Sequence, residues 1–142
     1  MKIFTSLSTA RVLVILGLLV TLVSVAATIG HLGKEEFMFR GTGAMGATHA
    51  WHHLFREATH DIGAMIGLLF LMFAGPRYRN TWMWWGMMFA AIGLYAGYWL
   101  GLPINPGYGA PMADAAHIPQ AVLVIAGLLV ARRHYQSQKD GG

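Results

Sequence analysis

"VLVILGLLVTLVSVAATIG", Val12 to Gly30, runs for 19 residues without a charged side chain. As a helix rising about 1.5 Å per residue, it covers roughly 30 Å, the thickness of bilayer hydrocarbon. In a water-soluble domain such a helix needs cover on every side. The rest of the chain offers little: 56% of its 142 residues are hydrophobic and 11% charged, with a mean hydropathy of +0.50. Soluble domains carry roughly 25% charged residues. The expectation is an all-α integral membrane protein.

Three more apolar stretches extend this reading. "AMIGLLFLMFAG" (Ala64 to Gly75) reaches spanning length when its helix starts near Ala58. "WMWWGMMFAAIGLYAGYWLGL" (Trp82 to Leu102) is long enough by itself. "PQAVLVIAGLLVA" (Pro119 to Ala131) borrows from its flanks, with Arg132 and Arg133 snorkelling at the far end. Residues 1–142 therefore read as a single membrane domain. Its four transmembrane helices fall at about 12–30, 58–75, 82–102 and 117–133, packed as a bundle.

Charge orients the bundle. With a cytoplasmic amino terminus, Lys2, Arg11, Arg77, Arg79, Arg132, Arg133 and Lys139 lie inside, and Lys34, Arg40 and Arg56 outside. That asymmetry satisfies the positive-inside rule, so both termini are expected inside (N-in/C-in). Trp82, Trp84 and Trp85 mark the inner edge of the third helix; Tyr95, Tyr98 and Trp99 mark its outer edge. The location implied is multi-pass, in a bacterial inner membrane. A rival reading makes the first segment a signal peptide cut after "VAA", with a mature chain starting at Thr28. Small-xxx-small spacings at Gly63 and Gly67, and at Gly93 and Gly97, are candidate helix contacts.

The same counts limit the chemistry. Without cysteine there is no disulfide, thiolate metal site or cysteine nucleophile. No basic run with interleaved aromatics occurs, so nucleic acid is not an expected partner. The serines Ser6, Ser8, Ser24 and Ser137 lie away from the histidines, and no Ser-His-Asp site assembles. An enzyme is not the expectation.

What remains is an asymmetry of polar groups. His31, His49, His52, His53, His60 and His117, with Glu35, Glu36, Glu57, Asp61 and Asp114, all fall on the outer side. On one helix through residues 48–75, His49, His52, His53 and His60 share an arc of roughly 100° with Arg56, Gly63 and Gly67. His49 and His53 are an i, i+4 pair, the spacing at which two imidazoles grip one ion. Neutral imidazole suits zinc, copper, nickel or iron, and Asp61 and Glu57 could add oxygen ligands or fix a ring tautomer. His117 is the candidate ligand from another helix; with Pro119 in the first turn, His117 or Ile118 is expected at the helix cap. Met38, Met45 and Met112, all outside, would add a preference for copper(I). Arg56 opposes a divalent cation by like charge. The metal candidates are therefore His49, His52, His53, His60, Asp61 and His117. The bland alternative is a solvated outer helix end on which histidines are tolerated.

Two stretches resemble a known family. "WWGMMFAAIGLYAGYWLGLPINPGYGAPMADAA" is similar to the "GLP…PG…AD" pattern of CbtA-type cobalt transporter subunits. "ATHAWHHLFREATHDIG" resembles the histidine-rich segment of the small CbtB partner. The resemblance implies that His60, Asp61 and their neighbours handle a cation, and it adds cobalt to copper, nickel and zinc as the metals expected.

The leading functional expectation is a transition-metal-binding membrane protein, acting in transport or as an accessory to it. A second is a b-type cytochrome or quinone-linked anchor, with His60 and His117 as axial ligands of haem b. A third is a structural subunit of a larger complex. The partners expected are the lipid bilayer and either another membrane subunit or further copies of the chain.

Overall fold

The computed structural model describes residues 6–30, 44–101, 103 and 114–136, and among them it is helical, with no strand. The elements are α1 (Leu7–Ile29), α2 (Ala44–Met72), a 3-10 turn (Pro76–Tyr78), α3 (Thr81–Gly101) and α4 (Asp114–Gln136). Two of them, α1 and the Ala115–Gln136 stretch of α4, are long and apolar enough to cross a membrane.

Local chemistry sets the ends. Ser6 caps α1, its Oγ accepting the Thr9 N–H at 3.0 Å. The helix therefore starts ahead of the apolar run and carries Arg11 on its second turn. Asn80 caps α3 in the same way, accepting the Met83 N–H at 2.9 Å. α2 stops at Met72, and Gly75-Pro76 turns the chain into α3. One boundary departs from expectation. α4 begins at Asp114, so Pro119 lies inside the helix and His117 sits in its first turns, not at its cap. A proline this near a helix start removes only one early backbone bond.

Each helix packs on its neighbour in the chain, and α1 closes the ring on α4. That last contact is the most extensive, and glycines explain it. A Cβ on Gly17 would stand 2.6 Å from Val124 Cγ2; one on Gly127 would stand 2.7 Å from Val14 Cγ2 and 2.8 Å from the Ala10 carbonyl. Each valine sits over the opposite glycine, so the backbones approach to a distance no side chain permits. The spacings at Gly63/Gly67 and Gly93/Gly97 do not serve this purpose. A Cβ at any of the four meets nothing within 4 Å. Helix α2 instead turns Ala58, Met65, Leu68 and Met72 to the core, leaving the glycine stripe on an open side.

The interior between α2 and α3 is rich in thioethers, with Met65, Met72, Met87 and Met88 all buried. Large apolar side chains point outward on every helix, among them Val23, Phe70, Phe89 and Val122. The two ends differ in chemistry. At one, Arg11 Nε donates to the Met72 carbonyl at 3.2 Å and the Tyr135 hydroxyl to the Leu71 carbonyl at 2.8 Å. Trp84 Nε1 donates to the Leu128 carbonyl at 2.8 Å, under the Arg132 guanidinium. The candidate ligands gather at the opposite end.

Candidate functional site

A cleft of about 540 Å³ opens among all four helices at that second end. From α2 come His53, Arg56, Glu57, His60 and Asp61; from α4, His117 and Gln120; from α3, Tyr95 with Gly93 and Gly97; from α1, Thr21, Ser24 and Thr28. Four of the six sequence-derived metal candidates thus line one space. The α2 register explains how. Residues 53, 57, 60 and 61 flank the core stripe that Leu54, Ala58 and Met65 define, so their side chains border the cleft at its rim. His53 and His60 are exposed there, and Asp61 is half-buried.

His52 falls elsewhere. It is exposed, it does not line the cleft, and its ring meets His53 edge-on at 5.8 Å between centroids. The single stripe expected for His49, His52, His53 and His60 is therefore divided, because Asp61 and not Gly63 faces the bundle. His49 belongs to α2, but its side chain lies outside the described residues, as do His31, Met38, Met112 and the side chains of Met45 and Asp114. Among the described residues, no three His, Asp or Glu side chains come close enough together to hold one metal ion.

The imidazoles are not equivalent. Arg56 donates to His53 Nδ1 at 3.0 Å, which places the ring proton of a neutral His53 on Nε2. Gln120 Nε2 donates to His117 Nδ1 at 2.7 Å. Glu57 and Asp61 balance Arg56 within the cleft, so a cation there meets net carboxylate charge.

The floor of the cleft holds residues that motif reading did not mark. Thr21 Oγ1 donates back to the Gly17 carbonyl at 3.0 Å and lies 2.9 Å from the Tyr95 hydroxyl. A threonine has a single hydroxyl proton, so Tyr95 is the donor to Thr21, and its lone pairs remain as acceptors. Gln120 is buried, and its Oε1 has no hydrogen-bond partner. A signal for both existed in the sequence. Thr21 interrupts the apolar run of α1, and Gln120 follows His117 at i+3, on one helix face.

Comparison with protein-family models, with characterised proteins and with solved structures finds no match to this chain.

Proposed function

We propose that the protein is a multi-pass membrane protein, crossing a bacterial inner membrane four times with both termini inside. In this reading it binds a transition-metal cation in the cleft at its outer end, as a transport subunit or an accessory to one. One observation carries the proposal: imidazoles from two different helices, His60 on α2 and His117 on α4, line the same cleft beside Asp61. His53 is a weaker candidate because Arg56 occupies its Nδ1. Imidazole and carboxylate donors suit cobalt, nickel, copper and zinc, and cobalt is the metal to which the CbtA and CbtB resemblance points. The outward apolar side chains and the cationic inner end support the membrane assignment.

A second reading keeps the same metal chemistry inside a porphyrin. Two imidazoles on separate helices are what a six-coordinate haem b needs, and His60 and His117 supply that pair.

Element analysis and an absorption spectrum of the detergent-purified protein separate these readings. The expected result is a stoichiometric metal without a Soret band, with affinity falling at least about tenfold in His60→Ala and His117→Ala. A Soret band lost in both variants selects haem. No metal and no colour, with the variants indistinguishable from the parent, overturns both and leaves a structural subunit of a larger complex.

A further inference from the structure

An imidazole binds a metal through an unprotonated nitrogen, and its other nitrogen keeps a proton that needs an acceptor. His117 as found is arranged the other way. Its Nδ1 accepts from Gln120 Nε2 at 2.7 Å, so the ring proton belongs on Nε2. Arg56 holds His53 in the same form, and a guanidinium has only donors to offer. A carboxamide has both kinds of group. Gln120 is 3% exposed and lines the cleft, and its Oε1 stands in the interior without a partner.

A half-turn of the Gln120 amide about its last side-chain bond exchanges Oε1 and Nε2 with almost no change of shape. Oε1 then faces His117 Nδ1; the ring gives up its Nε2 proton to solvent and takes one at Nδ1, Oε1 accepts a hydrogen bond from that Nδ1–H, and the lone pair lies on Nε2. One Gln120–His117 hydrogen bond exists before the turn and one after it. One amide atom lacks this partner in either state, so the protein alone does not lock the amide. A metal on His117 does.

We propose that Gln120 is the positioning residue that sets the tautomer of His117. The ring is protonated on Nε2 in the metal-free protein. With the amide turned, it is protonated on Nδ1 when His117 holds a metal. This rests on the cleft being a metal site, and it accounts for the unpartnered oxygen beside a candidate ligand. It also ranks the ligands: the neighbour at His117 Nδ1 is reversible, whereas the guanidinium at His53 Nδ1 only donates.

The test is nitrogen NMR of ¹⁵N-histidine-labelled full-length protein in detergent, above the histidine titration range, with zinc as the diamagnetic probe. His117 is assigned by its loss in His117→Asn. The parent is expected to carry the His117 proton on Nε2 without zinc and on Nδ1 with it. In Gln120→Glu the carboxylate only accepts, so Nδ1 is protonated before any zinc is added. Gln120→Met keeps the size of the side chain and removes the hydrogen bond. Its zinc affinity falls roughly tenfold to a hundredfold, whereas Gln120→Glu binds at least as tightly as the parent. Unprotonated Nδ1 in metal-free Gln120→Glu overturns the inference, as does parental zinc affinity in Gln120→Met. A parent that binds no zinc or other metal overturns the metal site itself, and the metal-free spectrum of Gln120→Glu still reports whether residue 120 governs the ring.

Discussion

The guanidinium of Arg11 leaves α1 and donates through Nε to the Met72 carbonyl, stacking 4.5 Å from the Phe73 ring on the way. Met72 closes α2, so its carbonyl belongs to the last turn, where the helix supplies no donor. A cation is also favoured at that end by the helix dipole. In the sequence Arg11 counts only as inner charge. That it serves as the cap of another helix was not legible, because the partner is 61 positions away and the helix ends were not fixed by pattern. Arg11→Met keeps much of the apolar stem and removes the bond, and it should lower stability by roughly 1.5–3 kcal/mol, the range for a hydrogen bond from a charged group. Arg11→Lys should recover only part of this, since an ammonium cannot both donate at that angle and stack on Phe73. Thermal unfolding in detergent checks both, and an unchanged midpoint in Arg11→Met would show that the cap contributes nothing.

Between elements, the decisive contact is the crossing of α1 and α4. Small residues at interhelical contacts were the right kind of signal, but four of the glycines singled out by spacing face open space, and the pair that matters, Gly17 and Gly127, stands on different helices. Spacing along one helix reveals a smooth face. It does not reveal which face another helix will meet, and 18 glycines offer many such faces. Helix existence was more legible, because an uncharged run of spanning length has few other solutions. The start of α4 was missed because Pro119 was read as a first-turn residue, whereas the helix tolerates it one turn further in. The crossing also bears on the signal-peptide reading. Ala10 and Val14 are fully buried against α4, so cutting after "VAA" would uncover the α4 face that Val124 and Leu128 share. Gly127→Ala should destabilise the bundle by about 1–3 kcal/mol, the usual cost of overpacking, since its Cβ would lie 2.8 Å from a backbone oxygen. Gly63→Ala, with nothing nearby, should be neutral or stabilising by up to about 1 kcal/mol. Equal unfolding midpoints for the two variants would contradict this account of the packing.

Over the whole molecule, the two ends of the bundle carry opposite chemistry. Arg11, Arg79 and Arg132 gather where α2 ends and α3 begins, each engaged with a carbonyl or an aromatic ring. The imidazoles and carboxylates of the cleft lie at the other end. Between them the core offers thioethers, aliphatic groups, the Trp84 indole and two tyrosines, and among the described residues no charged group there to relay an ion. In the proposed reading the polarity is that of a binding site above a sealed base, and the positive-inside rule would give it an orientation: arginine end in, cleft out. The chain's own composition makes this easy to test, because without cysteine any introduced thiol is the sole target of a maleimide. Glu36→Cys in sealed right-side-out vesicles should react with a membrane-impermeant maleimide, and Lys139→Cys should react only after permeabilisation. Inverted vesicles should reverse the pattern. Labelling of both positions from one side would mean an even number of crossings between them, so that at least one of the three helices α2, α3 and α4 that separate them fails to span. Labelling of Lys139→Cys alone from outside would invert the molecule and turn the cleft towards the cytoplasm. It would then draw on the cell's internal metal pool, and any role in transport would begin from the opposite side.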